Sequence, residues 1–206
     1  MSVVKPASCS RGGGRAQRGF TLIDVLVLIV LLGSTAGSFM LLFGRFSAQS
    51  AQALRDRQAL SVAQALLAEV RSMPFTYCEP NSANATTAAN AGACAVVDAL
   101  GPEAGETRTN AANRFDGVSD YQAYTMPGPG CAGICDAAGT LLNPPGSSLV
   151  GCAASVAMAA QALTGIAAID AFGRPQVLRV VVSVLCPTSG GIVLEGLKVR
   201  HAPNRI

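Results

Sequence analysis

Residues 18–32 read RGFTLIDVLVLIVLL, and the fold turns on how that run is read. A basic stretch ending in Gly19 meets Phe20-Thr21-Leu22-Ile23, then one carboxylate, Asp24, then an apolar block with no charge from Val25 to Phe43. A helix needs about 20 predominantly apolar residues to cross a bilayer core of roughly 30 Å. The block is long enough to anchor the chain, although Gly33, Ser34, Thr35, Gly37 and Ser38 make its middle weakly apolar. Lys5, Arg11, Arg15 and Arg18 precede it with no acidic residue. The positive-inside rule therefore keeps residues 1–19 in the cytoplasm and places the remainder across the membrane. Asp24 reads in two ways: as a residue tolerated at the membrane interface, or as an intramembrane carboxylate with a dedicated partner.

Beyond Phe43 the helical pattern continues. Phe46, Ala53, Leu60 and Leu67 recur every seven residues, with Ala63 and Val70 beside them, and polar residues such as Arg55, Asp56, Arg57, Gln64 and Arg71 fill other positions. This is one apolar stripe on an amphipathic helix, suited to covering a core. No proline falls between residues 7 and 73, and Pro74 is the natural terminator. One helix from Phe20 to Met73 would span about 80 Å at 1.5 Å per residue. Gly33 to Ser38 is its weak link, where local softening is expected rather than a fixed kink.

Residues 76 to 113, rich in Ala, Asn, Thr and Gly, carry no clear period and read as a long surface connection, with one short helix near Cys94 to Leu100. Order resumes at Phe115, leading to a strand over Tyr121 to Met126. After a Gly/Pro-rich loop (Pro127 to Pro145), three more strands are expected over Leu149 to Ala160, Val177 to Cys186 and Ile192 to Val199. The last two are joined by the short loop Pro187-Thr188-Ser189-Gly190-Gly191. An antiparallel sheet with one face on the helical stripe satisfies both amphipathic patterns. The expected fold is therefore α+β, a long N-terminal helix packed on a C-terminal antiparallel sheet. The chain divides into a leader (1–19), an anchoring half-helix (20–44), an amphipathic half-helix (45–73) and a globular head (74–206).

The chain has 206 residues and a formal net charge of +3. That charge misleads, because the leader supplies four of the 15 basic residues and none of the 12 acidic ones. The other 187 residues carry 11 basic and 12 acidic side chains, so no polyanion-binding excess remains and nucleic acid is not an expected partner. Lys198, Arg200, His201 and Arg205 read as a solvated strand end. Asp98, Glu103 and Glu106 read as solvated loop acids, with calcium binding as the rival.

Of seven cysteines, Cys9 lies in the leader, and Cys78, Cys94, Cys131, Cys135, Cys152 and Cys186 lie on the translocated side. An even number in an oxidising compartment reads as a disulfide framework, although six cysteines allow many pairings. Cys78–Cys94 would close a local loop and Cys131–Cys135 a Gly-rich turn, leaving Cys152 with Cys186 between strands. The rival, a metal held by Cys131, Cys135 and His201, has weak spacing. No metal or other cofactor is expected. His201 is the only histidine, which leaves no two-histidine metal motif, and Gly12-Gly13-Gly14 lacks the Lys and Ser/Thr of a phosphate loop. No catalytic constellation emerges, so the expectation is a structural or assembly protein rather than an enzyme.

The string Gly19-Phe20-Thr21-Leu22-Ile23 resembles the type IV prepilin signal, departing at Asp24, where that family usually has glutamate. The order of long helix, variable loop and antiparallel sheet is similar to type IV pilins and type II secretion pseudopilins. FDGVSDYQAY (Phe115 to Tyr124) and the closing RVVVSV…GGIVLEGLKVR hairpin look like the D-type minor pilins of mannose-sensitive haemagglutinin (MSHA) pili. The resemblance implies cleavage after Gly19 by a prepilin peptidase and N-methylation of Phe20 by the same enzyme. It implies that Asp24 sets subunit register by pairing with the α-amine of a neighbouring subunit's Phe20. A subunit of this kind resides in the inner membrane with its head in the periplasm, then enters a pilus or periplasmic pseudopilus. Its partners would be other pilin or pseudopilin subunits and the pilus or type II secretion assembly platform. The competing reading is a periplasmic or surface binding module with an uncleaved anchor or an ordinary secretory signal. In the latter, Phe20 to Leu32 is the apolar core and Ser34-Thr35-Ala36 the cleavage site.

Overall fold

A computed structural model describes residues 19–187 and 190–206. The basic leader residues Lys5, Arg11, Arg15 and Arg18, together with Cys9, lie outside the described residues. Helix α1 runs from Leu22 to Ser72. Its residues through Ser47 belong to one compact unit, and Ala48 to Ile206 form a second.

In the first unit every described residue is exposed, including Ile23, the apolar run Val25 to Leu32, and Phe39 to Phe43. This is the one helix among the described residues long and apolar enough to cross a membrane. The Gly/Ser/Thr-rich middle remains helical. Thr35 and Ser34 donate their hydroxyls to the Leu31 carbonyl (2.9 and 3.0 Å), and Ser38 donates to Ser34 (2.9 Å). Folding hydroxyls back onto the preceding turn satisfies them without solvent, the usual accommodation of such residues in an apolar helix.

In the second unit α1 lies on a four-stranded antiparallel sheet of order β1-β2-β3-β4: Thr125–Met126, Ala153–Ala160, Val177–Leu185 and Ile192–Val199. Register places Ala154, Val156 and Met158 of β2 opposite Val184, Val182 and Val180 of β3, which in turn face Ile192, Leu194 and Gly196 of β4. These residues share one face of the sheet, and Ala59, Ala63, Leu66 and Val70 of α1 pack against it in a single core. Leu67 and Arg71 of α1 lie over the bare backbone of Gly196 in β4. A Cβ placed on Gly196 would stand 3.2 Å from Leu67 and Arg71 side-chain carbons. The opposite sheet face leaves Leu185, Val193 and Leu197 exposed.

The buried stripe differs from the seven-residue series Phe46, Ala53, Leu60, Leu67. Phe46 and Ala53 are exposed, and Leu60 and Leu67 are only half-buried. The buried positions are Ala59, Ala63, Leu66 and Val70, so the stripe keeps Ala63 and Val70 but runs through Ala59 and Leu66, one residue before Leu60 and Leu67. The expected strand over Tyr121 to Met126 is reduced to Thr125–Met126, because Ser119–Tyr121 forms a 3₁₀ turn and Ala123 adopts a φ of 60°. β2 starts at Ala153 rather than Leu149, after a turn in which Gly151 has φ 75°. The short helix expected near Cys94 to Leu100 does not form. A 3₁₀ turn occupies Ala91–Ala93, and the Glu79 N–H donates to Val96 O (3.1 Å) in an extended pairing beside Cys78.

Three disulfides join Cys78 to Cys94, Cys131 to Cys135 and Cys152 to Cys186. The last continues the β2–β3 register by one step, since Ala153 is already opposite Leu185. Ala63 is fully buried at the seam. Ala63→Leu should therefore force the helix off the sheet and lower stability by about 2 kcal/mol, whereas Gln64→Leu, on the exposed side, should leave it nearly unchanged. Denaturant unfolding of the two variants checks this.

Candidate functional site

The sequence points first to Gly19–Asp24, where α1 begins. Gly19 and Phe20 precede the helix and are exposed, Phe20 at 87%. Thr21 sits just before the first helical residue, Leu22, and Asp24 is three residues further on. The Thr21 hydroxyl accepts the Asp24 N–H (3.3 Å), and the Asp24 carboxylate accepts the Thr21 N–H (3.0 Å) and hydroxyl (2.8 Å). This reciprocal pattern is a capping box, with aspartate in the place usually held by glutamate. The T-x-x-D spacing that signals it is present in the sequence, at the same positions as the membrane segment's start. Asp24 thus has a local task at a helix N-terminus, where the dipole favours an anion. Both bonds from Thr21 use Oδ2, leaving Oδ1 without a partner among the described residues.

A second polar centre lies in the head. Arg108, 4% exposed, reaches across to α1 and pairs with Glu69 in a fork, Nε to Oε1 and Nη2 to Oε2, both at 2.7 Å. Its Nη1 donates to the Cys135 and Asp136 carbonyls (2.9 and 3.1 Å). The Tyr121 hydroxyl donates to Glu69 Oε1 at 2.6 Å. One guanidinium therefore ties the loop after Cys94, the Cys131–Cys135 turn and the helix together. Burial alone would raise the pKa of Glu69, but the bonds from Arg108 and Tyr121 outweigh it and hold the carboxyl below its ordinary value.

A third centre gathers carboxylates. Asp98 and Glu106 are buried, 6% and 8% exposed, and Glu103 is half-buried, so the reading of these three as solvated loop acids is corrected. Glu79 (5%) and Asp120 (1%) join them, with Asp116 at the margin. Carboxylate oxygens of Glu79, Glu103 and Asp120 come within 4.8 Å of one another, as do those of Glu79, Glu106 and Asp116. Two full charges at that distance repel by about 3 kcal/mol at an effective dielectric near 20. Burial pushes Asp98 up to about 7, against the hydroxyl bond from Ser119. Burial likewise pushes Asp120 up to about 6, even though its Oδ2 accepts the Gly117 and Asp116 N–H groups (2.7 and 2.9 Å). Glu79 and Glu106 are raised by burial too, with neighbouring carboxyls adding to the effect, and burial raises Asp116 against a hydrogen bond shared with Glu79. Sequence reading missed Glu79, Asp116 and Asp120 because Glu79 is far along the chain from the other two, and only the irregular backbone of 76–121 brings them together.

The C-terminal basic residues are not simply a solvated strand end. The Arg200 side chain is 4% exposed, pairs with Asp170 (3.4 Å) and lies 4.3 Å over the Phe75 ring. Lys198 Nζ donates to the Arg71 carbonyl (2.6 Å). His201 is exposed, with Nδ1 3.3 Å from the Val199 carbonyl. The rival metal set of Cys131, Cys135 and His201 loses both thiolates to the disulfide.

Comparison with family models, with curated proteins and with solved structures finds no match.

Arg108→Met should cost about 3 kcal/mol at pH 7, because it leaves the Glu69 carboxylate half-buried without its cation. Since the folded pKa of Glu69 is depressed, this contribution is present above its unfolded value and lost as pH falls through the folded one. The gap between parent and variant should therefore close progressively below about pH 4, as measured by chemical denaturation across pH.

Proposed function

We propose that this chain is a minor type IV pilin of the MSHA type, cut after Gly19, methylated at Phe20 and assembled into a pilus through its N-terminal helix. The observation that carries this reading is the Gly19–Phe20–Thr21–Leu22–Ile23 motif placed immediately before a helix whose apolar residues from Leu22 to Phe43 are exposed. A fully exposed apolar helix needs a lipid or protein partner. A pilin satisfies both requirements in succession, first with the inner membrane and then with a bundle of like helices. In this reading the head occupies the periplasm before assembly, and the three disulfides suit an oxidising compartment. The same helix would also serve a minor pseudopilin of a type II secretion machine.

In the assembled state the α-amine of one subunit's Phe20 pairs with Asp24 of its neighbour. The capping box supports this, because it holds Oδ2 toward Thr21 and leaves Oδ1 for an external cation. Aspartate is one methylene shorter than glutamate, so the local cap restrains it more closely.

The mature N-terminus decides between processing routes. Peptide sequencing should find Phe20, whereas an ordinary secretory signal would give Gly37, and substitution of Gly19 should abolish the mass shift on processing. Asp24→Asn keeps an acceptor for the Thr21 N–H but removes the charge. It should be processed normally yet enter filaments about tenfold less well, the effect of losing roughly 1.4 kcal/mol per contact. Normal incorporation would remove the register role from Asp24.

A further inference from the structure

The carboxylate cluster is expensive as an all-protein arrangement. Among the described residues, no lysine or arginine forms an ion pair with Glu79, Glu103, Glu106, Asp116 or Asp120; the ion pairs there are Arg108–Glu69, Arg179–Glu195 and Arg200–Asp170. Glu79 is the shared member of both close sets. It is 5% exposed, and neither of its carboxylate oxygens has a donor from outside the cluster; the carboxyls of Glu103 and Asp116 lie against it. Asp120 Oδ1, Asp116 Oδ1 and Glu103 Oε2 are buried and unpartnered in the same way. Buried polar oxygens are ordinarily satisfied, and buried charges are paired or hold a metal. Here the carboxylates that carry them also gather in two overlapping sets joined through Glu79. The remaining oxygens are used to fix the ligands. Asp120 Oδ2 is held by two backbone N–H groups, Asp116 Oδ2 accepts from Asn81 Nδ2, and Glu106 Oε2 accepts the Glu103 N–H at 3.4 Å.

The geometry points to a divalent-cation site of calcium type centred on Glu79, with Glu103, Asp120, Glu106 and Asp116 as the surrounding ligands. The donor set consists of carboxylate oxygens, with no imidazole or thiolate, which selects hard cations over zinc or copper. Calcium accepts six to eight oxygens in a flexible shell, whereas magnesium demands a near-ideal octahedron and keeps much of its water. Five carboxylates carried on irregular loops supply many oxygens in adaptable positions, which favours calcium. The ion would join three segments that share no strand pairing: Glu79 beside the Cys78–Cys94 disulfide, the 103–106 turn, and the Asp116–Asp120 turn that leads to the buried Tyr121. This site does not depend on the pilus reading, because binding is measured on the isolated chain.

The test uses the full chain in detergent, disulfides intact, stripped with chelator and titrated calorimetrically with calcium chloride or magnesium chloride, with thermal melts in parallel. Saturable calcium binding is expected, at least about tenfold tighter than magnesium, with a rise in melting temperature. Glu79→Gln should weaken calcium binding by about tenfold or more, while in chelator it should melt no lower than the parent, since the change removes one acid from a crowd of like groups. Glu195→Gln, on the exposed β4 face, should bind as the parent does. If Glu79→Gln does not fold, Glu103→Gln provides the same comparison. Absence of saturation at millimolar calcium, equal binding of magnesium, or parent-like affinity in the cluster variant would overturn the site and leave carboxyl pairs sharing protons as the explanation.

Discussion

The packing of α1 on one face of the sheet is the constraint on which the head is built. Ala59, Ala63, Leu66 and Val70 on the helix share one core with Val180, Val182 and Val184 on the strands. Leu67, half-buried beside them, lies over the bare backbone of Gly196. Burial of apolar area supplies most of the stabilisation. The sheet can meet the helix with one face only, so the other face keeps Leu185, Val193 and Leu197 in the open.

The rest of the head has little regular structure to satisfy its backbone, and polar side chains take over that work. Between Ser72 and Thr125 there are two 3₁₀ turns and no strand. Arg108 occupies carbonyls of the Cys131–Cys135 turn, Asp120 occupies the N–H groups of Asp116 and Gly117, and Asn84 receives the Ala95 N–H through its side-chain oxygen. Phe115, Tyr121 and Tyr124 pack edge to face with centroids 5.0 to 6.0 Å apart, a geometry that aromatic quadrupoles favour. Such a region concentrates charge in its interior, which is why both the Glu69–Arg108 pair and the carboxylate cluster occur there rather than in the sheet.

This division explains what could be read along the chain. The long helix, the strands at Val177 and Ile192, and the sites of the turns follow from periodicity and from proline and glycine, all local signals. The disulfide pairing was accessible as well, because two of the bridges close short loops and the third lies at the end of paired strands. The helical stripe lies one residue from the series Leu60 and Leu67: Ala59 and Leu66 take the buried positions beside Ala63 and Val70. Asp98 and Glu106 looked like ordinary loop acids, since nothing in their immediate neighbours announces burial. Arg200 was concealed in the same way, because its partners Phe75 and Asp170 lie far from it along the chain. The capping box at Thr21 and Asp24 was visible locally and was eclipsed by a stronger pattern at the same positions.

The Cys152–Cys186 cystine has a mechanical consequence. When the chain is pulled between α1 and its far end, the covalent link conducts tension directly from residue 152 to residue 186. Residues 153–185, which include all of β2 and β3, then drop out of the load path. The hydrogen bonds between β2 and β3 are not sheared by the pull, and extension must come from the segments outside that closed ring, β4 included.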